Sequence, residues 1–264
     1  MCGRFSQAIP IEILLHLRAW RDAGAILDEA MINRLAADYE PNYNIAPSRP
    51  ALIVRADGHG QTDAGAAVRL GASIARFGLI PSWAKDRSIG AKMINARAET
   101  IGEKPAFRGL VRSRRAVLPV DGFYEWQSLP ASKAKRPWFF RRADGEPVLL
   151  ACVWDTWLDP QAGSPVDSFS IITTAAGEQI QPIHHRTPVV LGEESLPGWF
   201  DRETPMNEVH AMLRPAGAGV LDMHPVSARV NSPANNDPAL IERCDAPVGP
   251  ASPDSAGSPP TLWG

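Results

Sequence analysis

The sequence predicts a mixed α+β fold, built on a largely antiparallel, barrel-like sheet with flanking helices. Short runs rich in Val, Ile and Phe outnumber the segments with helical periodicity. They follow one another without the strand-helix-strand alternation of a parallel sheet, and no internal repeat suggests a solenoid or propeller. With 264 residues, 44% of them apolar, the chain is long enough to bury a full core.

Residues 11 to 20 read as a helix, and 25 to 38 as a second one that places Leu27, Met31 and Leu35 on one face. Pro41, Asn42, Asn44, Pro47 and Pro50 then impose a loop. Strands are expected at Ala51–Arg55, Ala116–Pro119, Pro147–Trp154, Phe169–Thr174 and Pro188–Leu191, with a Gly- and Ala-rich hairpin excursion over Asp57–Gly71. A late helix is expected over Asn207–Leu213. The composition divides the chain into one domain over 1–246 and a disordered Pro/Ser/Gly-rich tail over 247–264.

The net charge of -2 argues against a protein that coats duplex DNA by bulk electrostatics. Locally, Lys85 to Arg115 carries nine basic residues against three acidic ones, enough for a few phosphate contacts, although a solvated face would look the same. Neither a signal peptide nor a membrane span is expected, since Glu12 and His16 break the best early apolar run. Three cysteines without C-x-x-C spacing provide neither a disulfide framework nor a zinc knuckle, so a reducing cytoplasm is the expected compartment.

The chain opens Met1-Cys2-Gly3-Arg4-Phe5. Loss of Met1 would leave Cys2 as an exposed, free 1,2-aminothiol. An α-amino group titrates near ~8 and a lysine near ~10.4, so the terminal amine is the better Schiff-base former at neutral pH. Once that amine attacks an aldehyde, the thiol on the same residue can close onto the imine carbon and form a thiazolidine ring. That closure is intramolecular and so strongly favoured.

Proton-transfer partners are offered elsewhere. In Met93–Thr100, Asn95 and Arg97 would share one face of an extended segment. Glu125 lies among aromatics after an apolar run, where burial would raise its pKa and suit it to acid-base work; a carboxylate paired with an arginine at a strand end is the alternative. His184 and His185 precede Arg186, and strand neighbours point to opposite faces, which disfavours a shared metal and favours one working imidazole. Trp83 follows a turn, either exposed for base stacking or packed in the core. No metal or cofactor is expected.

In order along the chain stand MCGRF, YNIAP (Tyr43–Pro47), GLIPSW (Gly78–Trp83), INARAET (Ile94–Thr100), LPVDGFYEW (Leu118–Trp126), IITTAA (Ile171–Ala176), HHRTP (His184–Pro188) and HPVS (His224–Ser227). As a set they resemble the SOS response-associated peptidase family, also called SRAP or abasic site processing proteins. The resemblance implies a barrel-like core and a basic channel for single-stranded DNA. It also implies a thiazolidine cross-link between an abasic site and the N-terminal cysteine, within an SOS or DNA-damage response and with a possible lyase side activity. It further implies that Cys2 is the covalent residue, that Asn95 holds the linkage, that Glu125 assists ring opening and imine formation, and that His184 shuttles protons. Arg4 and Arg97 would contact phosphates and Trp83 would act as a stacking wedge. His184 is preferred to His185 by the family pattern His-x-Arg-x-Pro.

Thr187, Phe77 and Ala84 depart from the family pattern, the last where some members carry a second tryptophan. A cysteine peptidase using Cys2 as nucleophile is the competing activity, and a non-covalent single-strand binding module a third. The expected partner is abasic single-stranded DNA, with no membrane and no obligate protein partner, so a monomer is expected.

Overall fold

The computed structural model describes residues 2–22, 25–27, 29–56, 68–130 and 134–245. The chain begins with strand β1 (Phe5–Gln7), helices α1 (Ile11–Leu15) and α2 (Arg18–Asp22), β2 (Ala25–Leu27), α3 (Glu29–Ala36), β3 (Asn42–Ile45), β4 (Pro50–Ala56) and β5 (Val68–Phe77). Next come β6 (Asn95–Arg97), α4 (Leu110–Ser113), β7 (Arg115–Val120), β8 (Gly122–Ser128), β9 (Lys135–Arg142), β10 (Val148–Leu158) and β11 (Pro165–Ala175). The last elements are β12 (Arg186–Pro188), α5 (Leu196–Phe200), α6 (Met206–Met212) and β13 (Leu221–Pro225).

Five strands close on themselves. β5, β4, β7, β10 and β11 pair antiparallel in that order, and a parallel contact of β11 with β5, Phe169 opposite Phe77, seals the ring. β6 adds to β11 in parallel, with Asn95 opposite Ile171, and β12 pairs antiparallel near the end of β11. A second, antiparallel sheet runs β13-β9-β8-β1-β3. The mixed, barrel-like α+β architecture is the one expected.

Both faces of the barrel strands are apolar, which explains their unbroken hydrophobic runs. Along β4, Ala51 and Ile53 join one cluster with Phe5, Phe77, Phe169 and Cys2, while Leu52 and Val54 join another with Leu14, Trp20 and Trp199. The period of two is the strand's own. Sheet and barrel meet where β7 passes into β8. Asp121 sits at that joint and accepts from Ser6 Oγ at 2.5 Å and from the Ala8 N–H at 2.6 Å, which ties the N-terminal strand to it. The next residue must be glycine, because a Cβ at Gly122 would lie 2.2 Å from the Phe140 carbonyl oxygen.

Four local expectations are corrected. The loop expected from Pro41 to Pro50 contains β3, since Asn42–Ile45 pairs with β1, and Pro50 opens β4. The helix over 11–20 is two helices, because the Trp20 indole N–H donates at 2.8 Å to the Leu14 carbonyl, the acceptor a continuous helix would have offered to Arg18. Residues 25–38 do not form one helix. Ala25–Leu27 instead pairs with Val68–Leu70, a tertiary contact that overrides helical periodicity, while Met31 and Leu35 pack on the core as the pattern required. The strand expected at Pro188–Leu191 is Arg186–Pro188, followed by an isolated bridge from Val190 to Leu150. Residues 57–67 of the expected hairpin excursion and the expected tail lie outside the described residues, whereas 68–71 belong to β5. Among the described residues no helix is long and apolar enough to cross a membrane.

Candidate active site

Cys2 was expected to be exposed once Met1 is lost; in the chain that still carries Met1 it is fully buried, in the cluster with Phe5 and Phe77. Strand β1 hydrogen-bonds between β8 and β3, and this carries the residues before it into the interior. Burial pushes the thiol pKa well above its ordinary value, and the charge of Glu125 adds to the effect. The resting thiol is therefore protonated.

Asn95 sits on β6, and its Nδ2 donates to the carbonyl oxygens of Cys2 and Ile94, each at 2.9 Å. Its Oδ1 is buried with no hydrogen-bond partner among the described residues. Ala96 points into the core, so Asn95 and exposed Arg97 share the opposite face, as the extended reading required.

Glu125 lies on β8 opposite Trp138 and is only 2% exposed. Burial raises its carboxyl to about 7, against the pull of the amino-terminal charge and Lys135. His184 Nδ1 stands 3.9 Å from Glu125 Oε2. Burial lowers the pKa of the imidazole, so at neutral pH the contact joins a partly protonated carboxyl to a neutral ring. The same Nδ1 lies 3.0 Å from both the N–H and the carbonyl oxygen of Arg186. The main chain of one residue can thus hold the ring in either charge state, accepting from the N–H when neutral and donating to the carbonyl when protonated.

The geometry of the two histidines differs from the expectation. They precede β12 in a turn, and their rings stack at 4.5 Å instead of facing opposite ways. Among the described residues no group of three or more His, Cys, Asp or Glu is arranged to hold a metal.

The residues expected to contact DNA are found in different states. Trp83 is 61% exposed, which removes the core alternative. Its loop is fixed on both sides: the Ser82 N–H donates to Asp155 at 2.8 Å, and the Trp157 indole donates to the Ala84 carbonyl at 2.7 Å. Arg4 is engaged by the protein, its NH1 donating to Asn44 Oδ1 at 2.7 Å and to the Val230 carbonyl at 2.8 Å, while its guanidinium lies 5.9 Å from the Trp126 ring.

Sequence reading overlooked Glu99 and gave Arg186 no role, although both stand inside quoted motifs. They form a two-point ion pair of 2.6 and 2.9 Å across 87 positions, a separation no local pattern reveals.

The fold and site define a barrel protein whose second residue, a buried cysteine, is held by an amide beside a carboxyl-imidazole pair. Residues 1–233 match the model of the SOS response associated peptidase (SRAP) family, and the chain belongs to that family. It is 37% identical over 245 residues to the abasic site processing protein YoqW of Bacillus subtilis, covering 92% of this chain and 99% of that protein. It is 31% identical over 263 residues to the abasic site processing protein HMCES of Gallus gallus, covering 91% of this chain and 77% of that protein. The crystal structure of a Bacteroides thetaiotaomicron protein, structural genomics target BtR8, superposes with a TM-score of 0.75 at 25% identity, covering 92% of this chain and 100% of that one.

Proposed function

We propose that the protein processes abasic sites in single-stranded DNA by trapping the sugar aldehyde on Cys2, bared by loss of Met1. The observation that carries this reading is the convergence on the second residue: an amide 2.9 Å from its carbonyl oxygen, and a carboxyl that acts electrostatically on its thiol and stands 3.9 Å from an imidazole. The names of the similar proteins YoqW and HMCES point to the same substrate.

The chemistry proceeds in two steps. The Cys2 amine adds to the aldehyde carbon and water leaves, giving an imine. The thiol then adds across the C=N bond, its proton passing to the nitrogen, and the five-membered ring is complete. The amine attacks first, and because the sulfur sits on the same residue its addition to the imine is intramolecular. Glu125 exchanges protons during opening of the sugar ring and loss of water, and His184 relays them. Asn95 fixes the Cys2 main chain. Arg97 and Arg4 meet phosphates, the latter once released from Asn44. An imine that eliminates the 3′ phosphate before ring closure accounts for a lyase side activity.

The test is direct. Protein mixed with a single-stranded oligonucleotide carrying one abasic site is expected to give a band that survives denaturing electrophoresis without reductant, with an intact mass equal to the sum of the two partners less one water. Protein that retains Met1 is expected to give none, and a stable band from it sinks the reading.

Trp83→Ala is expected to weaken binding before linkage by about 1 to 3 kcal/mol, the value of one lost base stack, while leaving the linkage rate at saturating DNA unchanged. Titration of an aldehyde-free oligonucleotide at two salt concentrations measures this, and affinity in both proteins falls as salt rises.

A further inference from the structure

We propose that Glu99 is a positioning residue for this reaction, because its two-point hold on Arg186 fixes the turn that sets the His184 ring against Glu125. The proposal rests on the reading of Cys2 given above and adds a residue that touches neither substrate nor nucleophile.

Three observations carry it. The first is the ion pair itself: Arg186 NH1 donates to Glu99 Oε1 at 2.6 Å and its NH2 to Oε2 at 2.9 Å, while NH2 also donates to the Thr173 carbonyl at 2.7 Å. The guanidinium is thus held from two sides, and fork-to-fork geometry fixes direction as well as distance. The second is that Arg186 is the residue whose main-chain N–H and C=O both lie 3.0 Å from His184 Nδ1, so a rotation at residue 186 displaces both partners of the ring together.

The third is where Glu99 stands. It lies in the short 3-10 helix Ala98–Thr100 that directly follows β6, the strand whose Asn95 bonds the Cys2 carbonyl. One ion pair therefore joins the segment that holds the nucleophile to the turn that holds the proton relay. The Glu99 side chain is 47% exposed, so stability alone explains little of the arrangement, since pairs open to water contribute little.

Loosening the pair has a sign in pH. The charged and titratable groups around His184 are His185 stacked on it, Glu125 from β8, Lys135 from β9, the amino terminus, and Arg186 balanced by Glu99. The Arg186 carbonyl supports the protonated ring, and Lys135, His185 and the amino terminus oppose it. Removing the Glu99 charge frees the turn and leaves Arg186 unbalanced. The freed turn withdraws both its N–H and its carbonyl from the ring, so the sign is set by the unbalanced Arg186 charge, which disfavours the imidazolium and moves the limb of the pH profile that reports His184 to lower pH.

The experiment is single-turnover cross-linking of the full chain to an oligonucleotide with one abasic site, followed between about pH 5 and 9 for the parent, Glu99→Gln and Glu99→Asp. Glu99→Gln is expected to be slower by roughly 10- to 100-fold, the scale of a misplaced proton-transfer group, with its low-pH limb displaced acidward. Glu99→Asp keeps the charge on a shorter arm and is expected to lie between the two. Affinity for an oligonucleotide carrying a tetrahydrofuran analogue, which has no aldehyde, is expected to stay at the parental value.

A parental rate and pH profile in Glu99→Gln overturns the proposal. So does a slowing wholly explained by lost affinity for the analogue. Should Glu99→Gln fail to fold, Glu99→Asp decides, and a parental profile there overturns it as well. A parent that forms no stable band removes the reaction itself, a failure visible in the parent alone and so distinct from a failure of Glu99.

Discussion

Cys2→Ala is expected to abolish the denaturation-resistant band altogether while leaving a species that borohydride can capture. Alanine keeps the amine and, like cysteine, is small enough for the initiator to be removed, so the imine still forms. What disappears is ring closure. With nitrogen and sulfur on one residue, the thiol meets the imine at an effective concentration on the order of 10⁵ M or more, and no thiol free in solution replaces that. Cys2 is fully buried among Phe5, Phe77 and their neighbours, so loss of its sulfur leaves only a small void. The cost to folding is about 1 kcal/mol, too little to account for lost activity. Electrophoresis with and without borohydride, beside a thermal melt, separates the possibilities. A Cys2→Ala band as stable as the parent's, formed without reductant, would show that the sulfur takes no part.

Much of the architecture was legible because its signals are local. The alternate residues of β4 and β10 fall into two apolar clusters, and that produces the short continuous runs from which strands were read. Glu125 was legible for a related reason: Phe123, Tyr124 and Trp126 flank it in sequence and mark a buried strand, and the raised carboxyl follows from that burial. What stayed hidden depends on distant pairing. Leu27 fits a helical face with Met31 and Leu35, yet β5, more than forty residues away, recruits it into a strand. The burial of Cys2 is set by the pairing of β1 with β8 and β3, which position in the chain does not reveal. Arg4 reads as a free cation and is spent on Asn44 and Val230, the latter 226 residues distant. The ion pair of Glu99 and Arg186 is of the same kind: each residue is plain in its motif, and the contact exists only in the fold.

Glu125→Gln is expected to make the protein more stable and much less active, with the gain confined to neutral and alkaline pH. A carboxyl buried at 2% exposure holds its proton to about pH 7, against an ordinary value of 4.5. Below pH 4.5 the group is protonated whether the chain is folded or not, and it costs nothing. As pH rises from 4.5 to about 7, the unfolded chain gives up the proton while the folded one keeps it, and stability falls. Above that range the penalty is constant, at about 3 kcal/mol. Glutamine carries no charge and escapes it. The melting temperature of Glu125→Gln should therefore exceed the parent's by on the order of 10 °C at pH 8, with the gap closing by pH 4. Cross-linking should meanwhile slow by roughly 10²- to 10⁴-fold, the usual contribution of a positioned acid-base group. A gap independent of pH would mean that the carboxyl is not held protonated by burial. A cross-linking rate equal to the parent's would assign the proton transfers to His184 alone, and the strain of burying Glu125 would then serve no step of the reaction.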